Sequence, residues 1–306
     1  MNNTHEPGAI STSGFGRQIN VDALLPPEMA SKASHLGVIK ANMGWRSMFM
    51  LSILAGAFIA LGAIFATIAT TGGQGALPFG LSRLLGGLVF SLGLILVVIA
   101  GAELFTGNNL IVMAWAEHAI STRAVLRNWG IVYVGNFAGT IATAVIIYFA
   151  RQYTFAGGAV GANILNIATA KCSLGFIQAV TLGILCNALV CLAVWLCYSA
   201  RSTTDKILSI IFPVTAFVSS GFEHSVANMY FISIGLFVKK FAGNEFWASI
   251  SKSSADYANL TWANFLLNNL LPVTIGNIFG GSVMVGIVYW FIYIRKPHVP
   301  LFEQDE

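Results

Sequence analysis

The chain has 306 residues, of which 9% are charged and 56% are hydrophobic, and its formal net charge is +4. Soluble domains carry roughly 25% charged residues, and several apolar stretches here are long enough for the roughly 20 helical residues that cross a hydrocarbon core. This composition excludes an ordinary soluble domain and gives no basic patch for nucleic acid, so it predicts an integral membrane protein.

The chain begins with a polar arm followed by a predicted helix. Residues 1–20 are rich in Gly, Ser and Asn, and we expect them to be disordered. Residues 21–45 contain a predicted cytoplasmic amphipathic helix, which Pro26 and Pro27 would open. This helix is interpreted either as a surface helix packed on the membrane domain or as a mobile plug or docking site for a cytoplasmic partner. No early apolar core precedes it, so we expect no cleavable signal peptide.

Apolar stretches occupy most of the remaining chain, and we assign residues 46–296 to one six-helix membrane domain and 297–306 to a cytoplasmic tail. The predicted transmembrane stretches are residues 47–70, 82–118, 128–150, 174–199, 207–240 and 262–294. The second and fifth are longer than one span, and a polar patch containing Gly interrupts each of them.

Basic residues near the ends of these stretches indicate the orientation of the chain. Six spans place both termini on one side, together with Arg17, Lys32, Lys40, Arg46, Arg123, Arg127, Arg201, Lys206, Arg295 and Lys296. The opposite side has Arg83, Arg151, Lys171, Lys239, Lys240 and Lys252. This asymmetry predicts that both termini are cytoplasmic.

An internal repeat relates the two interrupted stretches, which read "AGAELFTGNN" and "SSGFEHSVANM". They share Gly-x-Glu-x-x-x-small-Asn, formed by Gly101, Glu103, Gly107 and Asn108 in the first half and by Gly221, Glu223, Ala227 and Asn228 in the second. The third and sixth stretches share Gly-Asn-x-x-Gly, as "VGNFAGT" and "IGNIFGG". Three spans in each half imply opposite orientations, so we predict a 3+3 inverted repeat with broken second and fifth helices. Such matching breaks point to a permeation site, because irregular backbone at membrane depth is tolerated where it lines a cavity.

Ionisable residues lie inside both breaks. Glu103 and Glu223 recur in the repeat, and we interpret both as carboxylates that bind the free amides of the breaks. His224 has Leu104 as its counterpart, so the repeat does not require it. One interpretation is that His224 is a buried histidine whose hydrogen bonds are made within the protein. However, an ionisable residue at this depth marks a transport path, so we predict that His224 acts on the permeant. We expect no metal site and no cofactor, and an intramembrane hydrolase is only a remote alternative because no convincing serine motif accompanies His224.

Several of these motifs resemble the formate/nitrite transporter family over residues 22–295, and most closely its bacterial formate channels. The motifs are "AGAELFTGN", "GNFAG", "NALVCLAVW", "SGFEHSVANM" and "LPVTIGNIFGG". Nitrite and hydrosulfide members share "EHS-x-ANM", whereas "TIATTGGQGALPFG" and "CYSARSTTDK" favour formate. The resemblance implies an aquaporin-like fold and a homopentamer with one pore per protomer in the lipid of the bacterial inner membrane. It also implies a passage for formate and related small monovalent anions or weak acids.

The resemblance further implies roles for individual residues. Thr106 and His224 would flank the centre of the pore, and Asn187 and Asn277 would offer hydrogen bonds there. Apolar constrictions would be formed by Phe90, Leu94, Leu104, Val190 and Phe217. Lys171 matches a basic residue at the outer mouth, although its neighbourhood "ATAKCSLG" lacks the flanking histidines of the family.

Together these residues predict a pH-sensitive pore. Desolvating an anion costs far more than desolvating a neutral acid, and a carboxylic acid with a pKa of about 4 is rarely neutral at pH 7. Lys171 would concentrate anions at the mouth. His224, oriented by Glu223, would hydrogen-bond or protonate the permeant between the apolar rings. The N-terminal helix would close the inner mouth in acid. Nitrite or hydrosulfide conduction through the same pore is the alternative.

Overall fold

The computed structural model describes residues 23–73 and 77–295. The arm at 1–20 and the tail at 297–306 therefore lie outside the described residues. The described chain is built from α1 (Pro26–Asn42), α2 (Trp45–Thr70), α3 (Phe79–Leu96), α4 (Val112–Ala116), α5 (Thr122–Phe149), α6 (Ala159–Cys172), α7 (Phe176–Ser199), α8 (Thr203–Ser219), α9 (Ser225–Phe241), α10 (Asn244–Ser249), α11 (Leu271–Ile278) and α12 (Val288–Tyr293).

Short π-helical and 3₁₀-helical segments extend or join these helices. A π-helical turn, Val97–Gly101, continues α3, and a 3₁₀ segment, Gly107–Ile111, leads into α4. The π-helical segments Asn264–Leu270 and Phe279–Ile287 join α11 and α12 into one long helix, Asn264–Tyr293. Further 3₁₀ turns are Gln152–Thr154, Ala156–Gly158 and Ser254–Tyr257.

Within the described ranges, five helical stretches are long and apolar enough to cross a membrane. These stretches are Trp45–Thr70, Phe79–Gly101, Thr122–Phe149, Phe176–Ser199 and Asn264–Tyr293. The fifth predicted stretch, 207–240, is divided between α8 and α9, which have 17 residues each. Neither part alone has the length of a full span.

The helices that carry the two repeat motifs end at glycines with positive φ. Gly101 has a φ of 82°, and the chain then extends through Ala102. Gly221 has a φ of 74° and follows the end of α8. Glycine adopts this backbone region without the steric cost that a Cβ brings, so both helices stop there and a new helical segment begins within six residues, at Gly107 and Ser225.

The second repeat motif, Gly-Asn-x-x-Gly, lies where long helices pack most closely. A Cβ at Gly139 would overlap the Ile53 carbonyl of α2, and a Cβ at Gly280 would overlap the Ile184 carbonyl of α7. Small residues allow helix backbones to approach in this way. The motif therefore packs α5 against α2 in the first half and the last long helix against α7 in the second.

The sequence predicts no element at residues 151–173, but the structure contains α6 there. With 14 residues, α6 is too short to read as a span, and its pattern was not recognised as a helix. It precedes the first long helix of the second half, as α1 precedes that of the first. Each of the two helices has a lysine near its C-terminus, Lys40 in α1 and Lys171 in α6.

Helix α1 is anchored to the C-terminal end of α7. The Nζ atom of Lys32 donates a hydrogen bond of 2.8 Å to the carbonyl oxygen of Tyr198. Partial burial lowers the pKa of the Lys32 ammonium, and the nearby cations Lys206 and Arg201 lower it further. The predicted amphipathic helix thus packs against the membrane domain in this structure.

Candidate functional site

The first helix break contains a buried glutamate held by an ion pair. Oε1 of Glu103 lies 2.8 Å from Nζ of Lys40. Oε2 accepts a hydrogen bond of 2.7 Å from Nδ2 of Asn108, which also donates to Oδ1 of Asn128 at 3.0 Å. Because each carboxylate oxygen has a donor, the charge of Glu103 is compensated at a position where its side chain is only 8% exposed.

The second break repeats this network residue for residue. Oε1 of Glu223 lies 2.8 Å from Nζ of Lys171, and Oε2 accepts a hydrogen bond of 2.6 Å from Nδ2 of Asn228. Asn228 donates in turn to Oδ1 of Asn269 at 2.8 Å. The hydrogen bonds of the Glu223 carboxylate all remain inside this network, and none reaches His224.

The backbone of each break is pinned by the asparagine of the Gly-Asn-x-x-Gly motif. Asn277 donates from Nδ2 to the carbonyls of Glu223 at 2.9 Å and Gly183 at 2.8 Å, and its Oδ1 accepts from the Ser225 amide at 2.9 Å. Asn136 does the same in the first half, with the Glu103 carbonyl at 2.9 Å. Asn277 was expected to offer hydrogen bonds to the permeant, but the structure uses both of its N–H groups within the protein.

Asn187 is engaged in a similar way. Its Nδ2 donates to Oδ1 of Asn109 and to the carbonyl of Asn277, both at 2.7 Å, and approaches the Thr106 carbonyl at 3.3 Å. The side chain is fully buried. Asn187 therefore joins α7 to the first break and to α11 rather than presenting a free amide.

His224 and Thr106 meet where the two breaks come together. His224 caps the N-terminus of α9, because its Nδ1 accepts a hydrogen bond of 3.1 Å from the Ala227 amide. Its Nε2 lies 3.0 Å from Oγ1 of Thr106, which is 118 residues away in sequence. The ring also stacks on Phe217, with centroids 5.9 Å apart. Both His224 and Thr106 are buried.

These contacts determine which nitrogen of a neutral His224 carries the hydrogen. A neutral imidazole has one N–H and one acceptor nitrogen. Nδ1 accepts from Ala227, so Nε2 carries the hydrogen and donates it to Oγ1 of Thr106. The hydroxyl hydrogen of Thr106 then remains available to another acceptor.

Two cavities approach this pair from opposite sides of the molecule. The first has a volume of about 360 Å³, and we call it the α1 cavity because Leu36, Gly37 and Lys40 of α1 line it. The second has a volume of about 570 Å³, and we call it the α6 cavity because Asn163 and Lys171 of α6 line it.

Helix α2 shows the length over which the two cavities together extend. Leu51 of α2 lines the α1 cavity, and Thr70 of the same helix lines the α6 cavity. At a rise of 1.5 Å per residue, the 19 residues between them correspond to about 28 Å along the helix axis. This distance is close to the thickness of a hydrocarbon core, about 30 Å.

Apolar side chains separate the two cavities. Leu94 and Leu104 line the α1 cavity, while Phe90 and Phe217 line the α6 cavity together with His224. The rings of Phe90 and Phe217 pack edge to face with centroids 5.9 Å apart. Val190, the fifth predicted constriction residue, is buried and lines neither cavity. Four of the five predicted residues thus line one of the two cavities.

Both lysine–glutamate pairs and the outer asparagine of each network were missed from sequence. Asn128 and Asn269 each stand eight residues before the asparagine of the Gly-Asn-x-x-Gly motif, Asn136 and Asn277. This constant spacing was a usable signal for their equivalence. Lys40 was used only to indicate orientation and Lys171 was expected to concentrate anions at the outer mouth, but both are partners of buried carboxylates.

Metal ligands are not clustered at this site. Among the described residues, no three His, Cys, Asp or Glu side chains lie close enough together to hold a metal ion. The arrangement can instead bind a small permeant through the hydroxyl and imidazole groups at the centre.

Known proteins resemble this chain over almost its whole length. The formate/nitrite transporter family model matches residues 27–291. The chain is 46% identical over 275 residues to the formate channel FocA of Escherichia coli (strain K12), covering 90% of this chain and 96% of that protein. It is 44% identical over 276 residues to FocA of Haemophilus influenzae, with 90% and 96% covered.

Solved structures show the same similarity. A pentameric formate channel with formate bound matches with a TM-score of 0.76 at 46% identity, covering 82% of this chain and 98% of that one. An FNT family ion channel matches with a TM-score of 0.75 at 28% identity, covering 88% of this chain and 99% of that one.

Proposed function

Because the chain belongs to the formate/nitrite transporter family, we propose that it is a transmembrane channel for formate and related small monovalent anions or weak acids. The predicted family is thereby confirmed, and it is a family of transporters rather than enzymes. The proposal for this chain is carried by the paired His224 and Thr106 between two cavities bounded by apolar side chains. Relatives that match along nearly their entire length are named formate channels.

We infer that the membrane domain has six spans arranged as a 3+3 inverted repeat. The support is that the second stretch (α3 to α4) and the fifth (α8 to α9) each carry a break with the same Lys–Glu–Asn–Asn network. The networks border cavities on opposite sides of the molecule, as an inverted repeat requires. The pentameric formate channel is the support for a homopentamer, and the excess of basic residues supports cytoplasmic termini in a bacterial inner membrane.

The central site would lower the cost of moving a carboxylate between the apolar rings. An anion that leaves water there loses its hydration, which is costly unless donors replace it. The free Thr106 hydroxyl hydrogen is one donor, and Nε2–H of His224 becomes the second when the permeant displaces Thr106. A neutral permeant acid passes with a smaller penalty, so a proton supplied to the permeant at this site favours conduction.

Proton donation by His224 has a structural consequence. A permeant that took the Nε2 hydrogen from a neutral ring would leave an imidazolate, so donation requires a doubly protonated imidazolium. The second hydrogen belongs on Nδ1, which now accepts the Ala227 amide and caps α9. Protonation therefore breaks this cap and places a cation at the positive end of a helix. We propose that neutral His224 hydrogen-bonds the permeant near pH 7, and that the proton-donating state is reached in acid.

Helix α1 is the element through which the inner mouth would close. It forms one wall of the α1 cavity, and Lys40 ties it to Glu103 at the first break. Leu25 and Ile39 of the helix region stay exposed and leave a surface for a cytoplasmic partner.

Formate flux into liposomes tests the function and the role of His224. Wild type, His224→Asn and His224→Ala are compared between about pH 7.5 and about pH 5 outside, which brackets the ordinary imidazole titration. We expect wild-type flux to rise with acidity and both variants to lose this dependence. His224→Asn should be the better folded of the two, because Asn is a favourable N-cap and Ala is not.

The control is His118→Asn, an exposed position with a φ of 61° that Asn tolerates. This variant should keep the wild-type pH profile. An unchanged profile in His224→Asn would make His224 a structural cap only. Nitrite or hydrosulfide flux without formate flux would support the proposed channel function but show that formate is not its substrate.

A further inference from the structure

We propose that Arg83, rather than Lys171, is the cation that draws the permeating anion into the α6 cavity. This inference rests on the proposed channel function and identifies a further residue that acts on the same permeant. Four ionisable side chains line the α6 cavity: Arg83, Lys171, Glu223 and His224. Their charges are not equivalent, because two of them form an ion pair.

The Lys171 charge is largely cancelled at its own position. Its Nζ lies 2.8 Å from Oε1 of Glu223, and only 17% of its side chain is exposed. The α1 cavity has the same arrangement, since Lys40 pairs with Glu103 at 2.8 Å. To an approaching anion, each pair is close to a dipole with no net charge.

Arg83 has no such compensation among the described residues, where no carboxylate lies within ion-pair distance of it. With neutral His224, the α6 cavity therefore carries one net positive charge, while the α1 cavity carries none. A cavity of one sign with low-dielectric walls raises the local concentration of the opposite ion. The asymmetry between the two cavities comes from Arg83.

The Arg83 guanidinium is held in place by the end of α8. Nη2 donates to the carbonyl of Val218 at 2.7 Å and Nε to that of Ser219 at 3.1 Å. The Ser219 hydroxyl donates back to the Arg83 carbonyl at 3.1 Å. A helix C-terminus carries only about half a negative charge, so it offsets part of the guanidinium charge and leaves a net cation. These bonds do not use Nη1, which remains a donor.

Arg83 has no cationic counterpart in the repeat, and the second break leaves room for its side chain. Counted from the break glycine, Arg83 corresponds to Thr203 in the second half, so the repeat itself does not require a cation there. A Cβ at Gly221 would stand 3.1 Å from Nη2 of Arg83. Gly221 thus leaves room for the guanidinium beside the break that holds Glu223.

The test distinguishes an electrostatic role of Arg83 from a structural role in which its hydrogen bonds hold the end of α8. Formate uptake is measured against external formate concentration for wild type, Arg83→Lys, Arg83→Gln and the control Lys252→Gln. Lys252 is an exposed cation in the loop after α10, and it does not line the α6 cavity. This loop lies on the same side of the molecule as α6, because Asn259 contacts Ser173 at the end of α6. Each protein is assayed at ionic strengths of about 0.01 M and about 1 M, where the Debye length is about 30 Å and about 3 Å. Gel-filtration profiles in detergent exclude misfolded variants.

At low ionic strength Arg83→Gln should raise the half-saturating formate concentration about tenfold, the lower end of the range for electrostatic focusing. The maximal flux of Arg83→Gln should change less than this concentration, and its difference from wild type should vanish at high ionic strength. Arg83→Lys and Lys252→Gln should keep a half-saturating concentration near that of wild type. If Arg83→Gln and Arg83→Lys raised the half-saturating formate concentration equally and independently of salt, the proposal would be overturned. Arg83 would then have only a structural role at the end of α8. If wild type moved nitrite but no formate, the proposed substrate would fail, and the same variants assayed with nitrite would decide the role of Arg83.

Discussion

Replacing Glu223 by Gln tests the interpretation of the buried ion pairs. Gln retains an oxygen for Asn228 but turns an N–H group toward the Lys171 ammonium, so a charge-assisted hydrogen bond worth about 1.5–3 kcal/mol is lost. Removing one partner of a fully buried pair costs about 3–5 kcal/mol. Lys171 keeps 17% of its side chain exposed, so we expect a cost of about 2–4 kcal/mol, between these ranges.

The assay is equilibrium unfolding in mixed micelles of a mild detergent and sodium dodecyl sulfate. Glu223→Gln, Lys171→Met and the double variant form a double-mutant cycle, and we expect a coupling of about 1–3 kcal/mol because the double variant leaves no unpaired charge. The matched control is Glu103→Gln. Its partner Lys40 is 28% exposed, so water compensates more of the lost pair and the cost should be smaller.

Two outcomes would refute this reasoning. One is additive effects in the Glu223 and Lys171 cycle, which would mean that the two side chains are not energetically paired. The other is a larger cost for Glu103→Gln than for Glu223→Gln, which would mean that exposure of the lysine does not set the penalty.

Three further predictions follow from the packing and from one loop. Gly280→Ala should destabilise the protein by about 1–3 kcal/mol in the same mixed-micelle assay, since its Cβ would overlap the Ile184 carbonyl. Gly130→Ala, where a Cβ meets nothing within 4 Å, should instead stabilise α5 by about 0.5–1 kcal/mol. Hydrogen bonds from the Ser253 backbone amide and, to a smaller extent, from its hydroxyl lower the pKa of the Asp256 carboxyl. The stability that these bonds give to the turn is therefore complete above the ordinary Asp pKa of about 3.9 and is lost as pH falls through the lowered pKa. Hydrogen-exchange protection of Ser254–Tyr257 should therefore persist down to about pH 4, and Asp256→Asn should lose it at neutral pH.

Much of the site could be predicted from sequence because it depends on local constraints. A polar patch with Gly inside a long apolar stretch has few structural solutions, and the matching motifs around Glu103 and Glu223 pointed to the two helix breaks that the structure contains. His224 was noticed because it lacks a counterpart in the other half. The family was reached from the same motifs, and the comparisons confirm it.

The partners of these residues could not be predicted in the same way. Asn277 carries a motif that marks the site, but sequence alone could not show that both of its N–H groups bind backbone carbonyls rather than the permeant. Lys171 looked like a free cation at a mouth, yet it pairs with a carboxylate 52 residues away. Hydrogen bonds depend on distances through space, and spacing along the chain does not specify them.

By itself, the sequence determined that this protein lies in a membrane and that a shared polar motif containing Gly interrupts two of its apolar stretches. These properties follow from hydrophobicity and from glycine's backbone freedom, which act residue by residue. The tertiary structure decided which charges cancel and which remain. It brings Thr106 to His224, pairs both buried glutamates with lysines and leaves Arg83 with no carboxylate within ion-pair distance among the described residues, because net charge at a point depends on every group packed around it.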